Sequence, residues 1–117
     1  MFNVLAVVGS RTFTDYALLK ENLDKISNEF HITKIVSGGA QGADSLARKY
    51  AQEKNILLQE FKPDWQTYGK AAGMLRNTDI VNACDMLVAF WDGVSPGTRD
   101  SIKKAEAQKK RVLIVTF

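Results

Sequence analysis

The stretch Thr33-Lys34-Ile35-Val36-Ser37-Gly38-Gly39-Ala40-Gln41-Gly42-Ala43-Asp44 decides the fold, because it joins a short apolar run to a helix-like segment through a glycine-rich turn. Two other stretches repeat this arrangement: Gly9-Ser10-Arg11 follows the apolar run Asn3–Val8, and Asp92–Thr98 follows Met86–Trp91. One glycine turn is often only a tight connection. Three of them matter because parallel strands place their carboxyl ends at one edge of a sheet. Backbone N–H groups and helix N-termini can bind one anionic ligand there.

Short strand-like runs alternate with longer helical ones along the whole chain. The predicted strands are Asn3–Val8, Thr33–Ser37, Ile56–Phe61, Met86–Trp91 and Arg111–Thr116, and the predicted helices run from about Asp15 to Phe30, Gly42 to Lys54, Lys70 to Ala83 and Thr98 to Lys109. This alternation predicts one α/β domain over residues 1–117: a Rossmann-like three-layer fold whose parallel five-stranded sheet carries helices on both faces. We expect the strand order 3-2-1-4-5, which opens a crevice between strands 1 and 4. The flavodoxin-like order 2-1-3-4-5 is the alternative.

Composition narrows the function classes. The 117 residues carry a net charge of +3, and the densest basic cluster lies near the end of the last predicted helix, where cations complement the helix dipole. Nucleic acid is therefore an unlikely partner on sequence grounds. Met1–Val8 is too short for a membrane span and lacks the layout of a signal peptide, so we expect a cytoplasmic protein without membrane contact. One histidine and one cysteine, Cys84, give no metal-ligand spacing, and we expect no metal and no cofactor.

Several polar residues in or near the turns are candidates for binding a ligand. Ser10 and Arg11 offer a hydroxyl and a guanidinium at the mouth of strand 1. Asp44 either complements the helix dipole, hydrogen-bonds a ribose hydroxyl or fixes its loop, and Thr98 is either a ligand contact or an ordinary helix cap. Arg76 and Asn77, taken alone, are expected to face solvent. Three aromatic residues are expected to belong in part to the core: Trp65, Tyr68 and Trp91.

These motifs, in this order, resemble the SLOG superfamily and in particular its small YspA-related branch, over almost the whole chain. The residues that carry the resemblance are Val8–Arg11, Ser37–Asp44, Lys62–Trp65, Gly69–Gly73, Arg76-Asn77 and Phe90–Thr98. The resemblance implies a single SLOG-like nucleotide-binding domain, with Arg76 and Asn77 in or beside the pocket. It also raises the importance of Asp44, Lys62 and Asp64. The ligand-binding candidates are then Gly9, Ser10, Arg11, Ser37, Gly38, Gly39, Ala40, Gly42, Asp44, Lys62, Arg76, Asn77, Asp92, Gly93, Ser95, Gly97 and Thr98.

Wider kin of this branch suggest alternatives. The LOG phosphoribohydrolases resemble the chain around Pro96-Gly97-Thr98 but carry a glutamate where this chain has Asp100, which shortens the side chain by one methylene. DprA, another relative, binds single-stranded DNA. The first hypothesis is a homo-oligomeric sensor or sequestering protein for a nucleotide-derived ligand, of the ADP-ribose, NAD or cyclic-nucleotide type. The second is N-glycosidic cleavage of a nucleoside monophosphate with Arg76, Asp100 or Asp64 as catalytic residues, and the third is a single-stranded nucleic-acid module.

Overall fold

A computed structural model describes residues 3–117, so Met1 and Phe2, which precede the first apolar run, lie outside the described residues. Its strands are β1 (Val4–Gly9), β2 (Lys34–Ser37), β3 (Leu57–Glu60), β4 (Met86–Trp91) and β5 (Arg111–Thr116). Its α-helices are α1 (Tyr16–Glu29), α2 (Ala43–Lys54), α3 (Trp65–Tyr68), α4 (Ala72–Ala83) and α5 (Pro96–Ala107), with a short 3-10 turn at Gly69–Ala71.

The five strands form one parallel sheet in the order β3-β2-β1-β4-β5, which confirms the predicted 3-2-1-4-5 order. The central strand β1 pairs with β2 on one side and with β4 on the other. The chain reverses its direction of winding at β1, because β2 and β3 build outward on one side and β4 and β5 on the other. This reversal opens a crevice at the carboxyl ends of β1 and β4.

Each face of the sheet has its own apolar core. Leu5 and Val7 of β1 pack on one face with Leu19, Leu23 and Ile26 of α1 and with the inner side of α2. The opposite face of β1 packs against α4 and α5. The buried residues of this second face are Ala6, Val8, Val36, Ile80, Val81, Cys84, Leu87, Ala89, Ile102 and Ala105. Strands buried on both sides explain the continuous apolar runs in the sequence.

The structure differs from the sequence-based expectations in the stretch that follows β3. The sequence predicts no helix or strand between Phe61 and Lys70, but Asp64 caps α3 by accepting a hydrogen bond from the Thr67 N–H at 3.1 Å. Trp65 and Tyr68 on this helix are each 54% exposed, so the expectation that they belong to the core is wrong. The helix α3 has only four residues, and none of them is buried. Trp91, at the end of β4, is partly buried as expected.

Two smaller points concern helix starts and membrane contact. The helix α5 begins at Pro96, two residues before the expected Thr98, because proline is well suited to the first helical turn. Thr98 therefore lies inside the helix and is not its cap, which is Ser95. Within residues 3–117, none of the helices has the length and apolar character that a membrane crossing requires.

Candidate functional site

A cleft of about 380 Å³ opens at the carboxyl ends of β1 and β4. Its walls come from the turns after β1, β2 and β4, from the middle of α4 and from the start of α5. The lining residues are Val8, Gly9, Ser10, Arg11, Thr12, Gly38, Ala40, Asp44, Arg76, Asn77, Ile80, Asp92, Ser95, Pro96, Gly97, Thr98 and Ser101. The three glycine turns that are far apart in sequence thus meet at one site.

The turn after β2 is held tightly against its neighbours. Gly42 has a φ of +76°, and a Cβ atom there would lie 2.4 Å from the Ser10 carbonyl oxygen. The start of α2 therefore packs directly on the turn after β1. Gly38 is equally confined, because its Cβ would lie 2.2 Å from Arg76 Nη1 and 2.9 Å from Asp44 Oδ2. Only glycine fits between these two side chains without displacing them.

Arg76 projects from α4 into the cleft and is held by neutral oxygen atoms. Its Nη1 donates to the Gly38 carbonyl at 3.0 Å and to the Phe61 carbonyl at 3.3 Å, and its Nε donates to Asn77 Oδ1 at 3.0 Å. Its Nη2 has no hydrogen-bond partner among residues 3–117, and no acidic side chain there lies within salt-bridge distance of Arg76. Burial lowers the pKa of Arg76. The expectation that Arg76 faces solvent is wrong, because the side chain folds back across the turn after β2.

Asn77 is buried beside Arg76 and connects α4 to α5. Its Nδ2 donates to the Gly97 carbonyl and to Asp100 Oδ2, both at 3.2 Å. Asp100 is also paired with Lys104 at 2.8 Å. This chain of contacts fixes the orientation of Arg76 and the distance between the two helices. The expectation that Asn77 faces solvent is also wrong, since only 6% of its surface is exposed.

Asp44 is buried at the start of α2 and stabilises the turn that precedes it. Its Oδ2 accepts a hydrogen bond from the Ala40 N–H at 3.1 Å. Burial raises the pKa of Asp44, although this hydrogen bond and the nearby charge of Arg76 act in the opposite direction. Of the three roles considered from sequence, fixing the loop is the one for which the structure provides a contact.

Asp92 performs a similar task in the turn after β4. Its Oδ1 accepts hydrogen bonds from the N–H groups of Val94 and Ser95, and its Oδ2 accepts one from the Ser95 hydroxyl. These bonds, led by that from Val94, lower the pKa of Asp92 to about 2. Ser10 joins this group, because the Asp92 N–H donates to its hydroxyl oxygen at 3.2 Å.

The structure brings most of the predicted site residues to the cleft and leaves others outside. The candidates that do not line it are Ser37, Gly39, Gly42, Lys62, Asp64, Gly93 and Asp100. Ser37 lies beneath the turn, with a buried hydroxyl that has no hydrogen-bond partner among residues 3–117. Lys62 and Asp64 are exposed on the segment after β3.

Some lining residues were not among the binding candidates: Val8 and Pro96, which belong to the motifs of the resemblance, and Thr12, Ile80 and Ser101. Ile80 and Ser101 lie one helical turn beyond Asn77 and Gly97, so the spacing of residues on one helix face could have found them. Within the described range, 3–117, no three His, Cys or acidic side chains lie close enough together to hold a metal ion.

Comparison with known proteins gives a family and two similar folds. The model of the YspA, cpYpsA-related SLOG family matches residues 3–68. The Gene 61 protein of Mycobacterium phage D29 is 36% identical over 121 residues, covering 95% of this chain and 93% of that protein.

Two solved structures share the fold at lower identity. DNA processing protein A (DprA) from Streptococcus pneumoniae has a TM-score of 0.77 at 20% identity, and the match covers 97% of this chain but only 50% of the DprA chain. The Moco carrier protein from Chlamydomonas reinhardtii has a TM-score of 0.72 at 23% identity, covering 100% of this chain and 78% of that one. The matched motifs, the sheet order and the phage relative agree, and the chain belongs to the YspA, cpYpsA-related SLOG family.

Proposed function

We propose that this protein binds a nucleotide or a nucleotide-derived ligand in the cleft and acts as a sensor or sequestering protein for it. The observation that carries the proposal is the state of Arg76. This cation lies partly buried in the wall of the cleft, is held only by neutral acceptors, and keeps Nη2 without a partner among residues 3–117.

The electrostatics of Arg76 favour an anionic ligand. Removing a cation from water costs free energy that a neighbouring anion normally offsets. The charge of Asp44 raises the pKa of Arg76 without forming a salt bridge, whereas Arg11, at the mouth of the cleft, is a second positive charge that lowers it. Arg11 itself has no ion pair within residues 3–117. One nearby carboxylate, Asp44, faces two guanidinium groups, and a phosphate group bound by both arginines would add counter-charge.

The remaining walls suit a small ligand with a phosphate. The start of α5 has no side-chain hydrogen bond to its first N–H groups, so the positive end of the helix is open toward the cleft. A volume of about 380 Å³ falls in the usual range for small-molecule sites, which is roughly 300–1,000 Å³. A nucleoside monophosphate or one half of a dinucleotide is of matching size.

The contacts of the acidic side chains favour binding of the ligand without turnover. Asp44 and Asp92, which line the cleft, already accept hydrogen bonds from backbone N–H groups. Asp100 is paired with Lys104 and Asp64 caps α3, and neither lines the cleft. A general base needs a carboxylate within hydrogen-bond reach of the attacking water. Cleavage of the N-glycosidic bond is therefore an outcome to test and not the leading proposal.

Isothermal titration calorimetry with a small panel of ligands would test the proposal: AMP, ADP-ribose, NAD, cyclic AMP and adenosine, with a single-stranded oligonucleotide for comparison. We expect at least one phosphate-bearing nucleotide to bind and adenosine to bind at least tenfold more weakly. Ligand at 100 times its Kd would stabilise the fold by about 2.7 kcal/mol.

Two matched variants locate the effect. Arg76→Gln removes the positive charge from the cleft and should weaken nucleotide binding at least tenfold. Arg111→Gln removes an exposed charge that pairs with Glu29 far from the cleft, and it should leave binding unchanged. Equal affinity for AMP and adenosine would contradict the proposal. Release of free base, detected by chromatography, would show that the protein is an enzyme and not only a binding protein. Binding of the oligonucleotide alone would favour the nucleic-acid alternative.

A homo-oligomeric state and a cytoplasmic location stay predictions. Exposed apolar side chains on α3 and at the start of α4 support an oligomer, among them Trp65, Tyr68, Met74 and Leu75. Light scattering behind a sizing column measures the mass directly.

A further inference from the structure

Ser10, Asp92 and Ser95 form one wall of the cleft, which we call the acceptor wall. The hydrogen bonds among these residues determine whether the wall can donate a proton to a ligand. The Asp92 carboxylate accepts three hydrogen bonds, from the Val94 and Ser95 N–H groups at 2.9 and 2.8 Å and from the Ser95 hydroxyl at 2.9 Å. Because these bonds stabilise the ionised form, Asp92 itself has no proton to donate at neutral pH.

The two serine hydroxyls have no proton to spare either. Ser95 uses its single hydroxyl proton in the bond to Asp92 Oδ2. The Ser10 and Ser95 hydroxyl oxygens lie 3.0 Å apart, and when Ser95 donates its single proton to Asp92, the hydroxyl that donates between the two serines is that of Ser10. The Ser10 oxygen also accepts the Asp92 N–H at 3.2 Å. The result is a closed ring of hydrogen bonds in which both hydroxyl protons are used within the ring.

Only acceptors are therefore left on this wall: one lone pair each on Ser10 and Ser95 and the unused lone pair of Asp92 Oδ2. A phosphate oxygen has no proton and carries negative charge, so these three acceptors do not suit it, whereas the first N–H groups of α5 and the arginines do. A hydroxyl or amino group would donate to the wall and form a charge-assisted bond with Asp92. Arg11 and Arg76, which also line the cleft, have the reverse character, since guanidinium groups only donate.

We propose that the acceptor wall binds the vicinal hydroxyls of the ligand's ribose while the arginines bind its phosphate, so that the site takes ribonucleotides and discriminates against sugars without these hydroxyls. This inference rests on the proposed function, because it assumes a nucleotide in the cleft. It assigns the sugar to Asp92, which is partly exposed at the cleft, and not to Asp44, which is buried and bonds back to the Ala40 N–H inside the turn. Two adjacent hydroxyls match a surface of three acceptors better than one exocyclic amino group does.

Calorimetric titration of the wild-type protein with AMP, 2′-deoxy-AMP, 2′,3′-dideoxy-AMP and IMP tests the assignment. We expect dideoxy-AMP to bind at least tenfold more weakly than AMP, because a site built around hydroxyl donors rejects analogues that lack them. IMP lacks the exocyclic amino group and should bind within threefold of AMP. Loss of affinity with IMP but not with dideoxy-AMP would overturn the assignment by identifying the base as the donor.

Variants test whether the acceptor wall is responsible. Asp92→Asn should reduce the preference for AMP over dideoxy-AMP to less than threefold while keeping the preference for AMP over adenosine. Ser95→Ala keeps the Asp92 carboxylate and its backbone bonds, and it should show a smaller loss of the same preference. Asp79→Asn removes an exposed carboxylate of α4 outside the cleft and should retain the full preference.

The outcomes separate the two proposals. Equal binding of AMP and dideoxy-AMP to the wild-type protein would overturn the ribose assignment and leave the proposed function standing. An Asp92→Asn protein that keeps the full preference would do the same. Absence of binding by every nucleotide would overturn the proposed function and the ribose assignment together.

Discussion

The starts of α2 and α5 look alike in sequence but differ in structure. Both helices follow a strand and a glycine turn, and both starts were expected to contact phosphate. At α2 the turn is closed: Gly42 lies against the backbone of Ser10, and Asp44 bonds back to Ala40. At α5 the turn is open, since a Cβ on Gly97 would meet no atom within 4 Å. The difference teaches that a glycine can be required by the fold or can leave space beside a ligand site, and that its surroundings decide which.

The largest expected effect is on the closed turn. Gly42→Ala places a methyl group 2.4 Å from the Ser10 carbonyl oxygen and forces an alanine to adopt a φ of +76°. We expect the free energy of unfolding to fall by about 3 kcal/mol or more, because backbone strain and a steric clash with main-chain atoms add together. Urea denaturation measures this loss. A change below 1 kcal/mol would show that the turn can open and that the two helix starts are not so different.

An intermediate effect is expected from the carboxylate of the open turn. Hydrogen bonds from the loop lower the pKa of Asp92 in the folded protein to about 2, from the value of 3.8 that the side chain has without these contacts. A lowered pKa contributes stability above pH 4, and this stability is lost as the pH falls toward 2. Asp92→Asn should therefore be less stable than the wild type at pH 6, with the difference shrinking between pH 4 and pH 2. Thermal unfolding at several pH values checks the trend, which a constant difference across this range would contradict.

The smallest effect is expected at Gly97. Gly97→Ala adds a methyl group where the structure has open space, within the first turn of α5. Alanine loses less backbone entropy in a helix, so we expect a gain of about 0.5 kcal/mol in the free energy of unfolding. The same methyl group narrows the entrance to the helix N-terminus and should weaken AMP binding. Greater stability combined with weaker binding would separate the open turn from the closed one, whereas a loss of stability would remove the distinction.

Local patterns were sufficient to predict the sheet and its order. The runs Asn3–Val8 and Met86–Trp91 are apolar throughout, which indicates strands buried on both faces, and each ends in a glycine turn. The order of such strands follows from a few packing rules, and the crevice between β1 and β4 follows from the order. The structure confirms this part of the prediction.

Contacts between distant residues could not be predicted in the same way. Arg76 is on a helix of mixed composition, and its bonds to the Gly38 and Phe61 carbonyls, 38 and 15 residues away, show that it turns inward, which local composition did not predict. The acceptor wall joins Ser10 to Ser95 across 85 positions. The helix α3 was missed because it has a single turn, which depends on its Asp64 cap and not on apolar periodicity. The first two features depend on pairing that no short window of sequence contains, whereas the Asp64 cap is a local contact between residues three positions apart.

The position of β1 has a consequence for the order of events in folding. β1 forms its longer register with β4, from Leu5 opposite Met86 to Gly9 opposite Phe90, so the middle of the sheet closes a loop of about eighty residues. Long loops of this kind slow folding, because their chain entropy is lost before the contacts that they bring together are gained. Ser10 and Asp92 follow immediately after this register. The side of the cleft formed by Ser10, Asp92 and Ser95 therefore cannot form before β1 and β4 have paired, and a ligand that contacts this side stabilises only molecules in which they have.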